Sequence, residues 1–162
     1  MKNFILCLAF LFSILTVSAQ LKTTVRCPPL SVDLLYGKVN ELYAKSTIDQ
    51  IKSSLPCFSE VVEEPSGMKC AGVFYKEQDI FFFTDRNYIE IGKNFKGKLN
   101  LPLIGASRSS MFNWLGYPKI KDIDWDAYQM SYGTLILYYN KTGKLTKMQI
   151  SSESTETIKL CE

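Results

Sequence analysis

The chain of 162 residues contains no histidine. Imidazole is the side chain that most often moves protons in catalysis near neutral pH, and it is a principal ligand of zinc. Its absence excludes nucleophilic mechanisms that rest on a histidine base. The five cysteines include no Cys-x-x-Cys pair, so the usual zinc ligands are also missing. We therefore expect no metal and no cofactor, and any catalysis would have to rest on carboxylates.

The sequence also lacks a charge excess of one sign. Nineteen Lys and Arg residues face sixteen Asp and Glu residues, and the lysines are scattered among acids. This balance argues against a nucleic-acid partner. Beyond the N-terminal segment, no apolar run approaches the roughly 20 residues that a membrane-spanning helix needs. We therefore expect no stable membrane anchor.

The N-terminal segment has the pattern of a secretory signal peptide. Lys2 supplies a positive charge, the apolar run 4–17 follows, and the small residues Ser18 and Ala19 end it. This order of charge, apolar run and small residues predicts cleavage after Ala19. The expected product is one mature domain, residues 20–162, in the periplasm or outside the cell.

Four cysteines remain after removal of the signal peptide: Cys27, Cys57, Cys70 and Cys161. An even number of cysteines in an exported chain predicts disulfides. Four cysteines allow three pairings. We favour Cys57–Cys70 as a local loop, with Cys27–Cys161 joining the two ends of the chain.

The chain contains one internal echo. The tetrapeptide GKVN at residues 37–40 recurs as GKLN at residues 97–100. Downstream of each copy, a hydroxyl residue (Thr47 or Ser107) precedes a short segment with apolar residues at helical spacing, as an N-cap would. Pro56 and the Gly-Tyr-Pro turn at 116–118 end these segments, because proline cannot extend a helix.

After each helical segment the pattern changes to that of strands. Aromatic and β-branched residues between polar turns predict three strands in each copy. The ranges are 73–75, 79–84 and 88–91, then 127–132, 134–139 and 145–150. The predicted fold class is α+β: two tandem helix-plus-three-strand repeats, at about 37–92 and 97–150, forming an antiparallel sheet with helices on one face.

Residues 103–118 (LIGASRSSMFNWLGYP) resemble the helix segment of a BLIP-like (β-lactamase inhibitor protein-like) repeat, and residues 135–150 resemble its returning hairpin. Related single units occur in small outer-membrane assembly lipoproteins of the BamE type. The resemblance implies a tandem α-β-β-β layout and binding to another protein through a concave sheet and projecting hairpins. The positions of Cys57 and Cys70 resemble the helix-to-strand disulfide of the inhibitors, which the second repeat lacks.

Aromatic strands supply the candidate binding surface. Three consecutive phenylalanines at 81–83 place aromatic rings on both faces of a sheet, and exposed aromatic surface often marks an interface. The alternative is burial of the second face by the N-terminal segment or by curling of the sheet. Residues 75–79 are expected to form a hairpin. This hairpin corresponds by position to one that the inhibitors use to bind their target enzyme. The expected partner-binding residues are Tyr75, Lys76, Glu77, Asp79, Phe82, Tyr128, Tyr132 and Tyr138.

An acidic segment, DIDWDA at 122–127, begins like a calcium-binding loop. Ala127 stands where that loop needs glycine, and Gly133 stands where it needs a bidentate glutamate. We therefore expect a solvated loop whose Ile123 and Trp125 pack inward.

These patterns together favour an exported protein-binding module over an enzyme. The expected role is that of an inhibitor or immunity protein acting on a toxin or hydrolase, with another protein as partner. A structural or assembly factor of the cell envelope is the alternative. A carboxylate-dependent hydrolase using acids such as Asp79 and Asp124 is the third hypothesis, because glycoside hydrolysis needs two carboxylates across a cleft.

Overall fold

Short runs rich in aromatic and β-branched residues, separated by polar turns, make this a mostly β protein. A computed structural model describes residues 27–65 and 70–161, and the predicted signal peptide lies outside them. The strands are β1 (Ser31–Asp33), β2 (Lys38–Val39), β3 (Leu42–Tyr43), β4 (Glu60–Val62), β5 (Gly72–Tyr75), β6 (Ile80–Phe83), β7 (Tyr88–Gly92), β8 (Lys98–Leu99), β9 (Ile120–Lys121), β10 (Trp125–Met130), β11 (Gly133–Tyr139) and β12 (Leu145–Ser151). The helices are α1 (Ile48–Ser54) and α2 (Met111–Leu115).

Eight strands form one antiparallel sheet in the order β4-β5-β6-β7-β12-β11-β10-β9. Its centre is two three-stranded meanders, β5–β7 and β10–β12, joined where β7 pairs with β12, and β4 and β9 form the two edges. The six strands predicted from the sequence coincide with these two meanders to within about two residues.

One face of the large sheet forms the core. The strand register aligns a continuous apolar row across six strands, and all of its members are buried. In sheet order the row is Val73, Phe82, Ile89, Ile150, Leu135 and Tyr128. Because side chains alternate between faces, one such row fixes which side of every strand meets the core.

A second, four-stranded sheet with the order β3-β2-β1-β8 packs against this core through Val32, Leu34 and Val39. The repeated tetrapeptides supply β2 and β8, which lie on either side of β1. Asn40 accepts a hydrogen bond from the Ser31 amide at 2.8 Å, and Asn100 accepts one from the Leu34 amide at 3.0 Å. The repeated tetrapeptide therefore forms two strands, β2 and β8, that both pair with β1.

The helices are shorter than a helical layer requires. Thr47 caps α1, as the sequence predicts, and Gln50 completes a capping box. The segment after Ser107 instead begins as a 3-10 helix (Arg108–Ser110) and continues into the five residues of α2. Neither helix in the described residues has the length or apolar character to cross a bilayer.

The predicted α+β class, with two helix-plus-three-strand repeats and helices on one face, is therefore wrong. Twelve strands in two sheets dominate, and the chain contributes only two short helices in the described ranges. The physical reason is that β1–β3 and β8 occupy the core face that helices were expected to cover. Each of these strands is only two or three residues long, too short to produce a periodic signal.

All four cysteines form disulfides, but the favoured pairing is wrong. The structure joins Cys27 to Cys57 and Cys70 to Cys161, with Cα atoms 5.6 and 6.2 Å apart. Residues 27–30 and the residues just after α1 line the same cleft, and Cys57 lies close to the start of the described chain. Two such disulfides are typical of exported proteins.

The C-terminal segment, residues 152–161, crosses the second face of the large sheet; we call it the C-terminal strap. Gln129 accepts hydrogen bonds from the amide and hydroxyl of Thr155, each at 3.2 Å. Tyr88, buried on this face, accepts one from the Cys161 amide. The second face is therefore covered in part by residues 152–161, whereas the sequence had suggested the N-terminal segment or curling of the sheet.

Alkaline pH is expected to unfold the protein. Burial raises the pKa of Tyr138 to about 12 and also raises the pKa values of Tyr75, Tyr88 and Tyr132. A pKa raised above the unfolded value of about 10 means that the folded state favours the neutral phenol. This contribution is fully present below about pH 10 and is lost as the pH rises through the folded pKa.

Tyrosinate absorbance and near-ultraviolet circular dichroism, followed together, check this expectation. The dichroism should be lost in one cooperative transition above about pH 10, and the buried tyrosines should ionise in the same step. Tyr138→Phe removes one of the ionising groups and should move the transition to higher pH. Complete ionisation of the tyrosines near pH 10 with retained near-ultraviolet dichroism would contradict the prediction.

Candidate protein-binding surface

Three of the residues expected to contact a partner lie in the core. Tyr75, Phe82 and Tyr128 belong to strands β5, β6 and β10, and their side chains are almost fully buried. The Tyr75 hydroxyl donates to the Leu55 carbonyl at 2.6 Å. These three side chains stabilise the fold, and we do not include them in a contact surface.

The hairpin residues have separate environments. Lys76 and Glu77 are exposed on the 3-10 turn between β5 and β6, and Lys76 forms an ion pair with Glu60. Asp79 adopts a left-handed conformation with a φ of 56°, and its carboxylate accepts a hydrogen bond from the Asn94 amide at 2.8 Å. Asp79 therefore fixes the turn.

The remaining two tyrosines lie on opposite sides of the large sheet. The Tyr132 hydroxyl donates to the Leu34 carbonyl at 3.0 Å. Its ring packs so closely on Gly37 that a side chain at position 37 would clash with it. Tyr132 therefore connects the large sheet to the β1–β2 turn. Tyr138 is half-buried on the second face, where its hydroxyl donates to Gln149 at 2.8 Å. Tyr138 remains accessible there.

The exposed apolar side chains concentrate elsewhere. Nine large apolar side chains are exposed in the described ranges, and five of them fall within twelve consecutive residues. We call this the apolar surface, and its members are Phe112, Trp114, Tyr117, Ile120 and Ile123. Ile123 is 92% exposed and Tyr117 is 85% exposed. Such a local concentration is typical of an interaction site.

The apolar surface follows from the local fold of residues 108–125. Met111 and Leu115 turn toward the core, so the short helix α2 must direct Phe112 and Trp114 elsewhere. The rings of Phe112 and Tyr117 lie 4.6 Å apart across the turn at Gly116, whose φ is 74°. A left-handed φ suits glycine, and the turn therefore ends the helix at this position.

Arg108 fixes the loop that carries Ile123. Its guanidinium group forms a two-point hydrogen-bonded ion pair with the buried carboxylate of Asp126, with Nε 3.0 Å from Oδ2. It also donates to three loop carbonyls: those of Ile123 at 2.8 Å, Asp122 at 2.6 Å and Trp125 at 3.2 Å. The hydrogen bond to Asp126 raises the pKa of Arg108 further, so this anchor keeps its charge.

Comparison with family profiles, curated proteins and solved structures finds no match to this chain.

The acidic loop does not gather ligands for calcium. Asp126 points into the core side of the sheet and is neutralised by Arg108, while Asp122 accepts a hydrogen bond from the Ile123 amide. Residues 27–65 and 70–161 contain no group of three Asp, Glu, Cys or His side chains placed to hold a metal. The expectation that Ile123 packs inward is wrong, whereas Trp125 is half-buried.

Sequence reasoning missed the apolar surface because it looked for aromatic residues on strands. A signal was present: Phe112, Trp114 and Tyr117 surround a helix of little more than one turn, and one helix face cannot bury all three. Arg108 carried no comparable signal, since its importance depends on the carboxylate of Asp126, eighteen residues away in the chain.

Proposed function

We propose that this protein is an exported, periplasmic or secreted, protein-binding module that acts as an inhibitor or immunity protein on a toxin or hydrolase, and that it is not an enzyme. The observation that carries the proposal is the apolar surface, five exposed apolar side chains on residues 112–123. Tyr and Trp are over-represented among the residues that dominate binding energy at protein interfaces.

The rigidity of the loop supports an inhibitor over a loosely associating partner. Arg108 holds the loop through its carbonyl oxygens, so Ile123 projects into solvent without requiring the loop to be ordered on binding. A preorganised loop loses less conformational entropy when it binds. In this loop Asp122 and Asp124 lie on either side of Ile123 in the sequence. The loop therefore suits an apolar pocket with a basic rim on the partner.

The relation to the β-lactamase inhibitor proteins remains part of this proposal and rests on the sequence resemblance alone. The acids named for a hydrolase have structural or exposed positions: Asp79 caps a turn and Asp124 lies on the exposed loop. No observation in the described ranges favours the hydrolase or the envelope-assembly factor as a second candidate.

The proposal predicts that Tyr117→Ser weakens binding of the native partner by about thirtyfold, as expected when an interface aromatic residue worth about 2 kcal/mol is removed. Tyr36→Ser is the matched control, because Tyr36 is 69% exposed and lies in the turn between β1 and β2 of the small sheet. Both variants and the wild type serve as tagged baits in native envelope and culture fluid, with quantitative mass spectrometry of what is retained.

A supporting result is one toxin or hydrolase that the wild type and Tyr36→Ser retain and that Tyr117→Ser loses. The purified pair should then show stoichiometric loss of the partner's activity. Retention that is equal for all three baits contradicts the apolar surface as the interface. A specific complex whose activity is unchanged contradicts the inhibitor role.

A further inference from the structure

A cleft of about 500 Å³ lies between the C-terminal strap and the second face of the large sheet. Its floor is a cross-strand row of Ile120, Ala127 and Ile136, which belong to β9, β10 and β11. This volume lies within the range of small-molecule sites, about 300–1,000 Å³.

The walls of the cleft are also largely apolar. Trp125 and Tyr138 are cross-strand partners at one side, and Ile158 and Leu160 of the C-terminal strap form the other. An open apolar cleft exposes to water the kind of surface that the rest of the sheet buries, so a ligand with a hydrocarbon chain would gain by filling it.

One cation borders the cleft without a counter-charge. Lys159 lines it and is exposed, and it has no ion-pair partner among residues 27–65 and 70–161. Two neighbouring lysines are already engaged: Lys119 pairs with Glu156 at 3.7 Å and Lys147 pairs with Glu90 at 3.4 Å. Among the described residues that line the cleft, Lys159 is therefore the one that carries a charge.

We propose that this cleft binds an aliphatic carboxylate of medium chain length, with its hydrocarbon chain on the Ile120–Ala127–Ile136 floor and its carboxylate at Lys159. The apolar lining selects the hydrocarbon chain, and the ammonium group of Lys159 selects the anionic head. The disulfide Cys70–Cys161 closes the strap just beyond Leu160 and so holds the outer wall in place.

Dodecanoate below its micellar concentration is the probe, and fluorescence of Trp125 is the readout. The chain has two tryptophans, so the titration is done in a Trp114→Phe background to isolate Trp125. We expect a saturable change in emission with a dissociation constant on the order of 0.1–1 mM, because a myristoyl chain, which has two more CH2 groups, partitions with a constant of about 0.1 mM. Dodecyltrimethylammonium, with the opposite charge, should bind more weakly.

Two variants locate the site. Ala127→Phe fills the floor and should abolish the saturable response, and Ile158→Gln tests the strap wall if Ala127→Phe does not fold. Lys159→Gln should weaken dodecanoate about fivefold, the effect of losing one partly exposed ion pair. Lys45→Gln is the matched control, since Lys45 is an exposed lysine just before α1, and it should bind like the parent.

The outcomes are decisive in either direction. Saturable binding that Ala127→Phe or Ile158→Gln removes and Lys159→Gln weakens supports the proposal. A response only at micellar concentrations, or one equal in all variants, overturns the site. Equal affinity for dodecanoate and dodecyltrimethylammonium overturns the assignment of a carboxylate. Ile120 belongs to both the cleft floor and the apolar surface. The variants at Ala127, Ile158 and Lys159 lie outside the apolar surface, so they test the cleft without a protein partner.

Discussion

Replacing Arg108 with alanine is expected to lower the free energy of unfolding by about 3–5 kcal/mol. Asp126 is almost completely buried and would lose its counter-ion, which leaves an uncompensated charge inside the protein. The three loop carbonyls would lose their donor as well. Denaturant unfolding followed by circular dichroism measures the loss.

Three companion variants separate the causes. Arg108→Lys keeps the positive charge but lacks the planar guanidinium group and its several hydrogen-bond donors. It should be less destabilised than Arg108→Ala. The pair Arg108→Met and Asp126→Leu removes both charges and should recover part of the loss. Arg86→Ala is the matched control, because Arg86 is exposed and pairs with its neighbour Asp85, and it should change stability by less than about 1 kcal/mol. If Arg108→Ala were as stable as Arg86→Ala, Arg108 would not be the residue that stabilises the loop and the buried Asp126.

Removing the disulfide between Cys70 and Cys161 by paired alanine substitution is expected to cost about 4–5 kcal/mol. This bond joins residues 91 positions apart, and a long covalent loop restricts the unfolded chain strongly. The same substitution at Cys27 and Cys57, which are 30 positions apart, should cost less, about 3–4 kcal/mol. Denaturant midpoints of the two double variants give the comparison.

The first double variant should also loosen the C-terminal strap, whereas the second should not. Protease digestion followed by mass spectrometry can test this, with cleavage expected within residues 152–161 only when Cys70 and Cys161 are replaced. Peptide mapping without reduction gives the connectivity directly. A cross-linked peptide containing Cys57 and Cys70 would contradict the pairing in the structure.

The two meanders could be predicted from the sequence because each strand there has four or more residues between polar turns. Enrichment in aromatic and β-branched residues over that length is a strong signal. The small sheet could not be predicted, because its strands are held by asparagine side chains and by packing between distant segments. The Gly-Lys-x-Asn tetrapeptide does occur twice, but its interpretation as the start of a helix-plus-three-strand repeat was wrong.

The contact surface was less predictable than the fold. Aromatic residues on strands were expected to be exposed, but the core takes those that face the small sheet, such as Phe82. The exposed aromatic residues lie in and just after a helix too short to bury them, and Ile123 is exposed because Arg108 fixes its backbone. Exposure of this kind depends on tertiary contacts between residues far apart in the chain.

The order of the disulfides has a consequence for how the chain matures. The first described cysteine pairs with the second and the third pairs with the fourth, so the two covalent rings follow one another without overlap. A chain that is oxidised as it emerges with its N-terminus first would meet each native partner in turn. Rearrangement of mispaired cysteines, which takes seconds to hours, is then unnecessary. This protein should reach its native connectivity with an oxidase alone and without an isomerase.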